Sequence, residues 1–308
     1  MTPAGSSSMS AEPLVIIFDF DGTLYEAEEH FDTYADLLAR SLDPGARQRM
    51  LEAWRRVRSG PHPLRVGRAY DPGRDWILDV SPADDRVLGV VTFDGTPVPE
   101  PRWCRAYDAR DGAPGGGLPP GVIPVGDLWP LAVCLFLRFG GHPEAVDAAF
   151  RATRRYMLDG AFDPRPVPGI RQRLDDLRRQ GHTLIMATNT PEPEAAPLLR
   201  RLGLDGAFDQ VVYGARKPDG LRRLLLHLLE ERGLPPQRII CVGDNYRNDV
   251  RPGWELACRT VFIDRYRQEA APATVRVSGS QEALAWLAGA AAAPHRGRSS
   301  GGNSAGPV

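Results

Sequence analysis

From about residue 168 the chain alternates short apolar runs with amphipathic helical stretches, and that alternation constrains the fold more than any other feature. The pattern predicts helices over 170–180, 192–202 and 221–232, the last closed by Gly233, with strands at 183–187 and 211–213 between them. Further strands follow at 239–242, 260–263 and 274–277, with helices near 252–258 and 281–287. Short apolar strands joined by helices predict an α/β fold built on a parallel, doubly wound sheet. Residues 14–18, apolar and rich in β-branched side chains, read as one more buried strand of that sheet.

The stretch 26–165 breaks the alternation. Its ends read as helices, at 30–42 and 45–58 on one side and 144–158 on the other. Its middle reads as irregular, with a Gly/Pro-rich segment at 112–121, and 87–93 followed by Asp94-Gly95 reads as a strand entering a hairpin turn. The expected organisation is a core from 13–25 and 166–289, an inserted, mostly helical domain at 26–165, and disordered tails at 1–12 and 290–308.

Composition removes several classes of function. A formal net charge of −1 argues against a broad electrostatic surface for nucleic acid or anionic membrane. No apolar run is long enough to span a bilayer, and residues 1–12 lack the basic and apolar regions of a secretory signal. The four cysteines show no Cys-x-x-Cys spacing and the six histidines no paired pattern, so a zinc site is not expected. A reduced, cytoplasmic setting fits that cysteine usage. Of 38 basic residues, Lys217 is the only lysine. Gly115-Gly116-Gly117 lacks the Gly-Lys-Ser/Thr of a phosphate-binding P-loop.

In a parallel sheet, ligands bind at the carboxyl ends of the strands. Four such ends carry chemistry here. Asp19-Phe20-Asp21-Gly22-Thr23 follows the first strand, and two carboxylates at i and i+2 call for a divalent cation. Thr188-Asn189-Thr190 offers a hydroxyl and backbone N–H groups to a phosphate. Lys217, in Arg216-Lys217-Pro218, can neutralise charge on a transferred group. The run from Gly243 to Asp249 supplies Asp244 and Asp249 as oxygen ligands for a hard cation such as Mg²⁺.

These four elements, in this order, resemble the four motifs of the haloacid dehalogenase-like (HAD) superfamily of phosphohydrolases, over residues 13–25 and 168–289. The resemblance implies that Asp19 is a nucleophile forming a phosphoaspartate and Asp21 a general acid/base. It implies phosphate-binding roles for Thr188, Asn189 and Lys217, and a Mg²⁺ site from Asp19, Asp21 through its backbone carbonyl, Asp244 and Asp249. It makes 26–165 a cap closing over a small phosphorylated metabolite. A sugar-phosphate mutase on the same core and a catalytically silent binding relative are the alternatives.

Each motif alone has a plainer reading. Thr188 alone reads as a cap or turn residue, Asp244 and Asp249 as a cap and a solvated charge, and Lys217 as a surface lysine. Thr92-Phe93-Asp94-Gly95-Thr96 is a near-copy of the first motif lacking its first acid, and it reads as a hairpin turn. Aromatics of the insertion (Trp54, Tyr70, Trp76, Trp103, Tyr107, Trp129) read as core. Arg65, Arg68 and Arg74 could reach a substrate anion, although solvated surface is the ordinary expectation for them.

Overall fold

The computed structural model describes residues 12–107, 118–160, 162–268 and 271–292. The chain enters on β1 (Val15–Phe18) and leaves it for a long insertion. That insertion begins with α1 (Glu29–Ala39), α2 (Pro44–Ser59), β2 (Arg68–Asp71), β3 (Trp76–Val80) and β4 (Val87–Thr92). It continues through α3 (Glu100–Tyr107), β5 (Ile123–Val125), α4 (Leu128–Arg138) and α5 (Glu144–Leu158). The return is α6 (Ile170–Arg179), β6 (Thr183–Ala187), α7 (Glu192–Arg201), β7 (Gln210–Val212) and α8 (Asp219–Leu226). Then come β8 (Ile239–Gly243), α9 (Arg251–Glu255), β9 (Arg259–Ile263), β10 (Val275–Val277) and α10 (Ser280–Ala292).

The expected parallel sheet is present: six strands, all parallel, in the order β10-β9-β8-β1-β6-β7. β1 sits between β6 and β8, and all four of its residues are buried. Ile16 and Phe18 pack into one hydrophobic layer, and Val15 and Ile17 into the layer on the opposite face. That split follows from the two-residue period of a strand, and each such side chain contributes about 1.5–3 kcal/mol on burial. The sheet therefore delivers the residue after Phe18 to a fixed place at its carboxyl edge.

The middle of the insertion is not irregular. It carries a four-stranded antiparallel sheet in the order β4-β3-β2-β5, and it includes the helices α3 and α4, which were not foreseen. α4 was masked by its own sequence, an apolar run with Pro130 in its first turn, where no helical stripe can be read. Helical residues still outnumber strand residues in the insertion. The near-copy of the first motif is the hairpin expected: Gly95 adopts φ +89°, and its N–H donates to the Thr92 carbonyl at 3.0 Å. At the far end α10 runs to Ala292, three residues into the expected tail. The rest of that tail, residues 1–11 and 112–117 of the Gly/Pro-rich segment lie outside the described residues.

The insertion has hydrophobic clusters of its own, one around Phe31, Met50, Leu131 and Phe136 and one around Trp76, Val90 and Trp103. Five of the six aromatics read as core are buried; the exception, Trp129, is half-buried and lines the cavity described next.

Candidate active site

A cavity of about 300 Å³ opens between the carboxyl edge of the parallel sheet and the insertion, and the motif residues line it. Asp19 is the first residue after β1, and its N–H still donates to the Val242 carbonyl of β8 at 2.9 Å. The ladder therefore fixes its backbone. Asp244 follows β8 directly, and Asn245–Val250 wind into a π-type turn that brings Asp249 back beside it. An Asn245 N–H···Asp249 Oδ2 bond of 3.0 Å holds that turn closed.

Asp19, Asp244 and Asp249 bring carboxylate oxygens within 4.8 Å of one another. Lys217 Nζ donates to Asp19 Oδ1 at 2.5 Å and to Asp249 Oδ1 at 2.6 Å. Its side chain is only 4% exposed, so the chain's single lysine is a buried bridge and not a surface charge. Burial and the charge of Asp249 raise Asp19 above the usual carboxylate range, with Lys217 opposing. Burial and the charge of Asp19 raise Asp244, against Arg265, and burial raises Asp249, against Lys217. Three crowded carboxylates held above their ordinary range are an all-oxygen donor set that a hard divalent cation would relieve.

Two glycines make this packing possible. A Cβ on Gly22 would lie 2.1 Å from Asp244 Oδ2, and Gly22 also adopts φ +76°. The glycine of the first motif thus serves the approach of the fourth motif's acid as well as the turn. A Cβ on Gly243 would lie 2.3 Å from that of Asp249.

The structure parts Asp21 from its neighbours in the motif. β1 ends at Phe18, so the extended spacing that would point Asp19 and Asp21 the same way no longer applies. The Asp21 carboxylate lies outside the acidic cluster and takes both guanidinium nitrogens of Arg154, at 2.7 Å each. Thr190 Oγ1 donates to it at 2.9 Å, and the Tyr25 hydroxyl donates as well. Burial would raise this group, but the Arg154 ion pair and these hydrogen bonds outweigh burial and hold it below the usual range. Only its backbone carbonyl remains for a cation.

Thr188 is buried and lines the cavity, its hydroxyl accepting from the Thr190 N–H at 3.0 Å. Asn189 turns its amide to the main chain of Lys217: its Oδ1 accepts from the Lys217 N–H at 2.6 Å, and its Nδ2 lies 3.4 Å from the Lys217 carbonyl. In this arrangement Asn189 positions the lysine.

Sequence reasoning missed Arg154, Tyr25 and Asp127. Arg154 lies on α5 with Met157 on the buried face, and its guanidinium packs over Trp129 and Phe150 at 5.1 Å. An arginine inside an apolar helical stripe is a signal, but it was lost among the arginines of this chain. Asp127 caps α4 through the Trp129 N–H at 2.8 Å and also accepts from Asn245 Nδ2 at 2.9 Å. It joins the insertion to the core, and Gly126 beside it leaves room for the Asn245 side chain.

Residues 134–253 match a family model described as haloacid dehalogenase-like hydrolase. A phosphoglycolate phosphatase of Agrobacterium fabrum is 40% identical over 127 residues, 39% of this chain and 51% of that protein. A 5'-nucleotidase of Pseudomonas aeruginosa is 31% identical over 120 residues, 37% of this chain and 53% of that protein. The chain thus spans about half the length of the curated relatives it matches. A solved haloacid dehalogenase-like family hydrolase from Xanthomonas campestris aligns over 91% of this chain and 96% of its own, at 15% identity and a TM-score of 0.45. That likeness is too loose to carry an argument. The matched segment carries the likeness instead: residues 134–253 of this chain are similar to the haloacid dehalogenase-like hydrolases.

Proposed function

We propose that the chain is a magnesium-dependent phosphomonoester hydrolase acting on a small metabolite, with Asp19 as its nucleophile. The observation that carries this reading is Lys217, buried between Asp19 and Asp249 within a three-carboxylate cluster. The relatives named phosphoglycolate phosphatase and 5'-nucleotidase support a small phosphorylated substrate.

Asp19, Asp244 and Asp249, with the Asp21 backbone carbonyl, would hold the cation. Mg²⁺ held there would supply positive charge that offsets the repulsion between an anionic nucleophile and an anionic phosphate. Lys217 adds a second positive charge beside Asp19, and Thr188 offers its hydroxyl to the phosphoryl group. A carboxylate of Asp19 attacks phosphorus, the bond to the leaving oxygen breaks, and that oxygen takes a proton. Water then attacks the phosphoaspartate at phosphorus, returning the carboxylate and releasing inorganic phosphate. Asp21 would donate and later accept the proton, a role that requires it to leave Arg154 and gain a proton. Residues 26–165, as a cap, carry Arg154 and Asp127 and would set both contacts when they close over substrate.

Release of inorganic phosphate from a panel of small monoesters, with Mg²⁺ and with excess chelator, tests this. Turnover that chelation abolishes supports the reading; no turnover across the panel, or turnover indifferent to chelation, contradicts it.

A further inference from the structure

A second cavity, of about 210 Å³, adjoins the catalytic one and shares Pro124, Gly126, Arg247 and Tyr266 with it. Its walls come from the β2 and β3 side of the antiparallel sheet and from the loops after β8 and β9. Five arginines line it: Arg65, Arg68, Arg247, Arg251 and Arg267. Only two carboxylates do, Asp79 and Asp85.

The pairing of those charges is uneven. Asp85, 7% exposed, takes both Arg247 and Arg251, the latter at 2.9 Å. Asp79 stands 3.6 Å from Arg68. Among the described residues no carboxylate lies within salt-bridge distance of Arg65 or Arg267, both exposed. Burial lowers Arg68 below the ordinary guanidinium range and the neighbouring Arg65 charge lowers it further, with Asp79 opposing. Positive charge is therefore in excess on this wall.

Surplus positive charge on a cavity that shares four lining residues with the catalytic one describes a receptor for an oxyanion.

We propose that this cavity binds a second anionic group carried on the leaving portion of the substrate, a carboxylate or another phosphoryl group. The inference rests on the phosphatase reading above and narrows it to phosphomonoesters with a distal negative charge. A carboxylate and a phosphoryl group present the same acceptor chemistry to guanidinium donors.

Matched pairs test it: 6-phosphogluconate against glucose 6-phosphate, and fructose 1,6-bisphosphate against fructose 6-phosphate. The first pair adds a carboxylate and the second a phosphoryl group. The wild type should favour the doubly anionic member of at least one pair by about tenfold or more in kcat/KM, the scale of one charge-assisted hydrogen bond. Arg65→Gln combined with Arg267→Gln should reduce that ratio to about threefold or less. A merely structural defect lowers both members of a pair together and leaves the ratio intact.

Calorimetric titration of Asp19→Asn with the same four compounds reads binding without turnover. It tests the cavity even if the wild type releases no phosphate, so failure of the phosphatase reading and failure of the subsite are distinct results. Equal binding of both members in both pairs, or binding of none, overturns the proposal. So does a preference that survives the arginine double substitution.

Discussion

Arg154 on α5 grips both carboxylate oxygens of Asp21, at 2.7 Å each, from a side chain only 2% exposed. One ion pair thereby ties the insertion to the first motif of the core. Removing one partner of such a buried pair leaves the other uncompensated. Arg154→Met should lower the unfolding free energy by roughly 3–5 kcal/mol, read by urea denaturation near neutral pH. Because Asp21 is depressed in the folded state, the wild-type advantage is present above the unfolded carboxylate pKa and shrinks as pH falls below it. An Arg154→Met protein as stable as wild type would mean that the pair contributes nothing.

Lys217 offers a compact ammonium to Asp19 and Asp249 from a buried position. The larger, forked guanidinium does not fit between two carboxylates set for a point charge. Lys217→Arg should keep the charge yet lose about 100-fold or more in kcat, measured by phosphate release. Near-wild-type turnover would show that charge alone suffices.

Gly22 is held at φ +76°, and a Cβ there would lie 2.1 Å from Asp244 Oδ2. Gly22→Ala should displace Asp244 and raise the Mg²⁺ concentration for half-maximal activity by about tenfold or more. An unchanged Mg²⁺ dependence would separate Asp244 from the cation.

His30 is buried among Phe31, Trp129 and Phe162. Burial and the Arg154 charge push its pKa down to about 3, with Asp21 opposing. The unfolded chain therefore binds this proton more readily, so stability is full above about pH 6.5 and falls as the solution is acidified. Between pH 6.5 and 5 the wild type should lose about 2 kcal/mol more than His30→Phe, by urea unfolding at each pH. Parallel losses in the two proteins would contradict this.

The parallel sheet was legible because its central strands β1, β6 and β8 are apolar runs closed by turn signals, and β6 falls where its periodicity puts it. The insertion's sheet was not. Arg68–Asp71 and Trp76–Val80 mix charged and aromatic residues in runs of four and five, too short for a period to emerge. At the site, Asp19, Thr188, Lys217, Asp244 and Asp249 were legible because each stands just past a strand or in the turn that follows it. Arg154 and Asp127 were not, since their meaning lies in what they touch across the gap between insertion and core. Asp21 shows the limit within a motif: its place was readable, but the orientation of its carboxylate is set by a helix more than a hundred residues away.

The central claim is that Asp19 takes the phosphoryl group. Acid quenching of the enzyme during turnover of a radiolabelled monoester with Mg²⁺ tests it directly. The label should appear on the wild-type protein, map to the peptide carrying Asp19, and be absent from Asp19→Asn, which should also release no phosphate above background. Label retained on Asp19→Asn, or undiminished phosphate release by that variant, would contradict the account.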